Sequence, residues 1–134
     1  RKIRNTARYV LSNLYDFDPD KDIAPEESLF EIDRWALGKL NDLTVKVQKA
    51  YEEYEFYAIF HAVHNFCAVD MSNFYLDVLK DRLYADKADS TSRRAAQTAM
   101  YIILRQLTLL IAPIIPFTAE EIWGFFPKAK GDKM

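Results

Sequence analysis

The sequence of 134 residues contains only three glycines and one cysteine. The glycines, Gly38, Gly124 and Gly131, are scattered, which excludes a phosphate-binding loop of the G-x-G-x-x-G or P-loop type. A lone cysteine, Cys67, cannot form an internal disulfide, so the composition fits a reducing compartment. Long apolar runs are also missing, because residues 108–117 form a stretch of only ten. A membrane-spanning helix needs about 20, so we expect no membrane partner.

Apolar residues are nevertheless plentiful, and they recur at the spacing of helices. They make up 50% of the chain, enough for a sizeable core, and no segment shows a strand pattern. Their stripes predict helices at about residues 2–15, from 28 into 51–56, at 55–84, from 90 or 91 to 112, and shortly after Pro116. The sequence therefore predicts an all-α fold, a compact antiparallel helix bundle of about five helices.

The expected domain organisation is simple. Residues 1–126 form the bundle, and residues 127–134 form a solvated C-terminal linker or tail. A helical pattern is already present at the first residues, with no capping residue in front of it. We therefore expect the chain to be a piece of a longer protein.

Capping residues predict two helix starts. Ser28 with Glu31, and Thr118 with Glu121, have the spacing of capping boxes for the second and fifth helices.

The second helix is expected to bury one stripe, namely Ile32, Ala36, Leu40, Leu43, Val47, Ala50 and Tyr54. The third is expected to bury a longer one, namely Phe56, Phe60, Val63, Cys67, Met71, Phe74 and Val78. Asp70 lies beside this seam, which indicates a kink or a buried polar contact there.

Two prolines interrupt the most apolar part of the chain. Pro113 is expected to end the fourth helix, because its ring clashes with a continuing helix, and residues 112–116 then form an extended, buried connection. Phe117 is expected to pack on Ile122 as a hydrophobic staple at the start of the fifth helix. The inward residues of that helix are predicted to be Ala119, Ile122, Trp123 and Phe126.

One cluster has the residue types of a metal site, namely His61, His64 and Cys67. On a helix, His61 and Cys67 would lie about 9 Å apart along the axis, too far to share a zinc ion with ligand bonds of about 2.0–2.3 Å. A metal shared by the two histidines would need ligands from elsewhere. We therefore predict no metal site and no catalytic residue, with Cys67 as an inert thiol in the core.

Charge is unevenly distributed, although the net charge is only −2. Residues 1–8 carry four cations and no acid, and Arg1, Arg4 and Arg8 lie on one face of the predicted first helix. Such a row can bind successive phosphates, and Asn5 beside it can contact a base edge. A second basic group contains Lys80, Arg82, Arg93 and Arg94.

An acidic loop, residues 16–31, offers a competing explanation of the same arginines. It holds seven acids and one lysine, a net charge of −6, and it directly follows the first helix. If these acids paired with the arginines, the face would be neutralised, and the chain would be a helical protein-interaction bundle without nucleic-acid binding. That alternative also predicts a large exposed apolar patch.

Four segments carry a resemblance to a known family. They are RKIRNTARYVLSNLYDFDP, EIDRWALGKLN, YEFYAIFHAVHNFCAVDMSNFYLDVLKDRLY and LIAPIIPFTAEEIW, and together they span nearly the whole chain. They resemble the anticodon-binding helical domain of isoleucyl-tRNA synthetase, a class I aminoacyl-tRNA synthetase. The last segment is shared with the valyl, leucyl and methionyl enzymes, so the same domain of one of those is the alternative. Residues 33–35 and 72–84 resemble the isoleucyl enzymes specifically.

The resemblance implies a parent enzyme that joins isoleucine to its tRNA, using ATP with magnesium and carrying zinc in a C-terminal module. The H-x-G-H and K-M-S-K-S signatures of its catalytic domain do not occur in this sequence. The chain itself is therefore expected to have no catalytic site and no cofactor. Its implied partner is the anticodon arm of isoleucine tRNA, and a cytoplasmic monomer is expected.

The resemblance also assigns roles by position. On the first helix, the implied tRNA contacts are Arg1, Arg4, Asn5 and Arg8. Lys80 and Arg82 are implied as secondary contacts, to phosphates near the stem. Residues 33–35 are expected to be structural, with Trp35 packed and its two neighbours paired to other helices.

Overall fold

The computed structural model describes residues 2–75, residue 79 and residues 91–127. In these ranges all regular structure is helical, which confirms the predicted all-α bundle. The α-helices are α1 (Lys2–Ser12), α2 (Glu31–Glu52), α3 (Phe56–Asn65), α4 (Thr91–Ile111) and α5 (Pro116–Phe125). A 3₁₀ turn (Glu26–Ser28) precedes α2, and a π-helical segment (Phe66–Tyr75) continues α3. Residues 128–134 of the predicted tail lie outside the described ranges.

Hydrogen bonds between distant residues show how the helices run. Gln97, near the start of α4, donates to a backbone carbonyl just after α1 at 2.9 Å, so these two helices are antiparallel. Tyr75, at the end of the π-helical segment, donates to Asp33 in the first turn of α2 at 2.8 Å, so α2 and α3 are antiparallel as well. Tyr51 near the end of α2 donates to the carbonyl of Leu110 near the end of α4 at 2.7 Å, which makes those two parallel. The long elements thus alternate in direction.

The central helix of the bundle is α4. Fourteen of its 21 residues are buried, and it packs against α1, α2 and α5. A helix that is buried on most sides is typical of the centre of a bundle, although Ile102 is 38% exposed. None of the helices that the structure describes has the length and apolar character to span a bilayer.

The buried seam of α3 differs from the prediction. Phe56 and Phe60, expected in the core, are 50% and 45% exposed. Phe66 is buried, and the other buried residues follow steps of four, namely Ile59, Val63, Cys67, Met71, Tyr75 and Leu79. A strict four-residue step drifts around an α-helix of 3.6 residues per turn, but the wider turns of the π-helical segment keep it facing the core. The side chain of Phe74 and residue Val78 lie outside the described part of the chain.

The capping box predicted for the second helix is wrong. Ser28 ends the 3₁₀ turn, and α2 begins only at Glu31. The carboxyl group of Asp33 accepts a hydrogen bond from the N–H of Phe30 at 3.0 Å, and it satisfies a backbone donor at the start of the helix. The pattern in the sequence therefore predicted the approximate start of the second helix but the wrong capping side chain.

The start of α5 also differs from the prediction. Pro116 lies in its first turn, where a missing N–H costs nothing, so Thr118 is inside the helix and caps nothing. Phe117 is 86% exposed, so the predicted staple does not form. The N–H groups of the two isoleucines that precede Pro116 both donate to Ile111, so the connection is a tight turn and not an extended segment. The predicted inward residues are buried, namely Ala119, Ile122, Trp123 and Phe126.

The end of α2 contains a strained residue. Tyr54 has a φ of 58° and is 79% exposed, whereas its place in the predicted stripe required burial. A side chain in the left-handed region costs about 1–2 kcal/mol. Glycine has no such cost but loses more entropy on folding, so we expect Tyr54→Gly to raise the free energy of unfolding by about 0.5–1 kcal/mol in urea unfolding.

A matched control for this prediction lies in the middle of α2. Val45 is 60% exposed and helical, so Val45→Gly should lower the free energy of unfolding by about 0.5 kcal/mol. If both glycine variants lost stability, strain at Tyr54 would be refuted.

Candidate nucleic-acid interface

The outer face of α1 carries three of the six predicted contact residues. Arg4, Asn5 and Arg8 are all exposed on it, and we call them the α1 cationic face. The expected apolar stripe of this helix comprises Ile3, Ala7, Val10, Leu11 and Leu14; it is buried on the opposite face except at Leu11, which is half-buried. The other three predicted contacts lie outside the described residues, namely Arg1, Lys80 and Arg82. Helical spacing thus places the polar residues outward by fixing the apolar ones inward.

The two arginines of this face have different surroundings. Arg4 Nη2 lies 3.6 Å from Glu121 Oε2 in α5, and the two side chains are 51% and 53% exposed. An ion pair so long and so exposed contributes at most about 1 kcal/mol, and it can exchange for another anion. Arg8 makes no salt bridge within the described residues. Both guanidinium groups are therefore accessible to a phosphate.

An open groove of about 540 Å³ lies beside this face, between α1 and α5. Its charged lining residues are Arg4, Arg8 and Glu121, and its apolar lining includes Ala7, Leu11 and Ile122. Two aromatic residues also line it, Tyr15 and Phe125, and they are 79% and 76% exposed. The groove thus combines cations with flat apolar surfaces.

The acidic loop is bound to α4 and not to α1. Asp16 Oδ2 accepts from Arg93 Nη1 at 2.7 Å, and Asp16 Oδ1 accepts from Arg93 Nη2 at 3.1 Å. Gln97 donates to Asp16 Oδ1 at 2.8 Å, and Arg94 donates to the backbone carbonyl of Asp16 at 2.9 Å. Asp22 lies 3.5 Å from Arg94. Within the described residues no salt bridge joins the loop to α1, so the loop leaves the α1 cationic face unneutralised.

These contacts, which we call the Asp16 network, also bear on the two members of the second basic group that the structure describes, Arg93 and Arg94. Arg93 is only 4% exposed, so it is a structural residue and not a surface cation. Burial alone would raise the pKa of Asp16, but hydrogen bonds from Arg93 and Gln97, together with the charges of Arg93 and Arg94, outweigh that effect. The pKa of Asp16 therefore lies below its usual value of 3.8.

Comparison with known proteins identifies the family. The family model of the anticodon-binding domain of tRNA ligase matches residues 33–133. The chain belongs to this family. The isoleucine–tRNA ligase of Syntrophotalea carbinolica is 61% identical to the anticodon-binding domain described here, over all 134 residues. That of Caldicellulosiruptor bescii is 63% identical over 123 residues, or 92% of the chain. The chain spans only 14% and 13% of the lengths of these two relatives.

The family match begins within α2, so it does not include α1. The relative from Syntrophotalea carbinolica, however, aligns over 100% of the chain. The α1 cationic face of this anticodon-binding domain therefore lies within the aligned part of an isoleucine–tRNA ligase.

Asp33 and Trp35 of the anticodon-binding domain are packed as predicted, whereas Arg34 is exposed and bonds to the turn before its own helix and not to another helix. Asp33 is fully buried and accepts the hydrogen bond of Tyr75 described above. Arg34 donates to the backbone carbonyl of Glu26 at 3.1 Å, which holds the 3₁₀ turn against α2. Trp35 is half-buried and packs against the core.

The histidines of the anticodon-binding domain do not meet the cysteine. His61 and His64 are exposed and stack on Tyr57 and Phe60, with ring centroids 6.0 and 6.3 Å apart. Cys67 is fully buried, as predicted. Among the described residues, no group of three or more His, Cys, Asp or Glu side chains could hold a metal ion.

The two exposed aromatic residues of the groove are not among the predicted contacts. For Phe125 a signal is present in the sequence, because it follows Glu121 by four residues and so continues the exposed face of α5. Tyr15 lies three residues past the end of α1, so helical spacing does not place it beside Arg8. Neither residue belongs to a predicted apolar stripe.

Proposed function

We propose that this domain recognises the anticodon stem-loop of isoleucine tRNA as part of an isoleucine–tRNA ligase. The observation that carries the proposal is the α1 cationic face, which is exposed and free of salt bridges to the acidic loop. The relatives are isoleucine–tRNA ligases, and this supports isoleucine over valine, leucine or methionine. Joining of isoleucine to tRNA, with ATP and magnesium, would take place in parts of the parent outside this chain.

The chemistry of the face suits an RNA backbone. Arg4 and Arg8 are one helical turn apart, so two guanidinium groups can bind phosphates of one strand. Asn5, between them in sequence, carries both a donor and an acceptor for a base edge. With a net charge of −2, attraction to RNA is confined to this face and is not a property of the whole surface. Arg1, Lys80 and Arg82 are proposed as further contacts.

The competing function, a protein-interaction bundle, predicts two features. The first, an α1 face neutralised by the acidic loop, is not what the described residues show. The second is an exposed apolar surface, and aromatic residues are indeed exposed where α2 meets α3, namely Tyr54, Phe56, Tyr57 and Phe60. That corner and the α1 cationic face belong to different helices, so a protein contact at one is compatible with RNA binding at the other.

Replacement of Arg8 tests the proposed function. We expect Arg8→Ala to weaken binding to the isoleucine anticodon stem-loop about five-fold, because one phosphate contact is lost. The slope of log affinity against log salt, measured between about 50 and 200 mM, should become shallower by about one. Fluorescence anisotropy of a labelled stem-loop measures both quantities.

Arg34→Ala is the matched control. Arg34 is also exposed, but it lies on α2 and donates to a backbone carbonyl. Its replacement should leave both the affinity and the salt slope within about 20% of wild type. Affinity that is insensitive to salt, or equal losses in the two variants, would contradict the proposed role of α1.

A further inference from the structure

We propose that the groove between α1 and α5 binds a single unpaired nucleotide of the RNA loop. Its base would lie against Tyr15 and Phe125, and its phosphate would bind Arg8. This inference rests on the proposed function, and it extends that function from a cationic helix face to a defined site for one nucleotide that includes α5.

The size and lining of the groove fit a nucleotide. A volume of about 540 Å³ lies within the range of about 300–1,000 Å³ that is typical of small-ligand sites. Ala7, Leu11 and Ile122 provide an apolar surface, and Arg4 and Arg8 provide donors beside it. A ligand that fills such a site has a flat apolar part and an anionic part, as a nucleotide does.

The two aromatic rings are placed for stacking. Tyr15 and Phe125 are 79% and 76% exposed, although aromatic side chains usually bury most of their surface. Arg93 Cζ lies 5.9 Å from the centroid of the Tyr15 ring, and Arg93 itself is fixed by Asp16. Arg93 thus lies beside the ring, and most of the surface of Tyr15 remains open to a base.

The charges of the groove match one phosphate. Among the described residues, the charged ones that line it are Arg4, Arg8 and Glu121, which together carry a net charge of +1. Glu121 lies 3.6 Å from Arg4, which leaves the charge of Arg8 for the ligand. A groove that followed a run of phosphates would carry a larger excess of cations. One nucleotide carries one negative charge, which matches the charge of the groove. The neighbouring phosphates of the RNA loop would contact the α1 cationic face.

Aromatic substitutions test the inference in the 134-residue chain. Tyr15→Ala and Phe125→Ala should each weaken binding to the stem-loop between about 5- and 100-fold, the range for loss of a base–aromatic stack. Matched controls are Tyr57→Ala and Phe117→Ala, which remove equally exposed rings outside the groove and should bind as wild type. Circular dichroism establishes that each variant is folded.

Two RNAs separate the inference from the proposed function. A blunt-ended RNA duplex with the sequence of the stem, which has no unpaired nucleotides, should bind wild type and the two groove variants equally, because only the phosphate contacts are then used. A stem-loop with 2-aminopurine at each loop position in turn should change fluorescence on binding at one position, and Phe125→Ala should abolish that change.

The possible results lead to different conclusions. If the stem-loop binds through Arg8, but Tyr15→Ala and Phe125→Ala bind it as wild type does, the groove is not a nucleotide site and the proposed function stands. If the wild-type chain binds neither RNA at about 50 mM salt, both proposals are refuted. If the groove variants lose affinity for the paired stem as strongly as for the stem-loop, stacking of an unpaired base is refuted.

Discussion

Replacement of Asp16 by alanine is expected to lower the free energy of unfolding by about 3 kcal/mol. Asp16 makes two hydrogen bonds to the guanidinium group of Arg93, whose side chain is only 5% exposed. Removal of one partner from a buried ion pair costs about 3–5 kcal/mol, because the other charge is left buried and unpaired. The lower end applies here, since the side chain of Asp16 is 23% exposed and water can partly replace it. Urea unfolding at neutral pH measures the change.

The same carboxyl group should make stability depend on pH. Its pKa is lowered in the folded state, so its stabilising effect is complete above its usual pKa of 3.8 and is lost as the pH falls through the lower, folded-state pKa. The difference in unfolding free energy between wild type and Asp16→Ala should therefore be constant from neutral pH to about pH 5 and should shrink below about pH 4. A difference that grew on acidification would contradict the assignment.

Asp42→Ala is the control for both measurements. Asp42 is exposed on α2, and its replacement should change the free energy of unfolding by no more than about 0.5 kcal/mol at any pH. Arg93→Ala should also destabilise, but it additionally removes the cation beside the Tyr15 ring. If Asp16→Ala were as mild as Asp42→Ala, the ion pair would not hold the loop on α4.

A second large effect is expected at Asp33. This residue is fully buried, accepts from the hydroxyl of Tyr75 at 2.8 Å and accepts from the N–H of Phe30 at 3.0 Å. Asp33→Ala leaves both donors without that acceptor and opens a small cavity in the core. Unsatisfied buried donors cost about 1–3 kcal/mol each, so we expect a loss of about 3–4 kcal/mol in urea unfolding.

Two further variants isolate the hydrogen bonds from the cavity. Asp33→Asn keeps the shape but replaces one acceptor oxygen by a donor, so it should lose roughly half as much as Asp33→Ala. Tyr75→Phe removes only the hydroxyl, and in combination with Asp33→Ala it should add little further loss, because the two residues share one bond. Fully additive losses in the double variant would refute the bond between Tyr75 and Asp33.

Much of the fold follows from local spacing in the sequence. The apolar stripe of α1 predicts four of its five positions correctly, because Ile3, Ala7, Val10 and Leu14 are buried, whereas Leu11 is only half-buried. In the seam of α3 the first turns differ from the prediction. Val63, Cys67 and Met71 are buried as predicted. Ahead of them Ile59 is buried in place of Phe56 and Phe60, because the π-helical segment that follows changes the spacing of the buried positions. The helix propensities of the residues do not reveal where a helix widens into π-helical turns.

The candidate interface is only partly predictable for a different reason. Exposure of Arg4 and Arg8 follows from the α1 stripe alone. Whether the acidic loop covers them does not, because its actual partner, Arg93, is 77 residues from Asp16 in the sequence. The sequence shows arginines on α1 and on α4, and acids in the loop at residues 16–31. Only the packing of α4 against α1 decides which arginines the acids contact. The groove similarly requires α5 to lie beside α1.

The position of the groove has a consequence for how this domain matures during synthesis. Its first wall, α1, leaves the ribosome about a hundred residues before its last wall, α5. At about 5–20 residues per second, that interval is about 5–20 seconds. Until it has passed, α1 can pack on the π-helical segment and on α4, but the nucleotide site has only one side. A nascent chain therefore cannot capture RNA in this groove before nearly the whole domain has been translated.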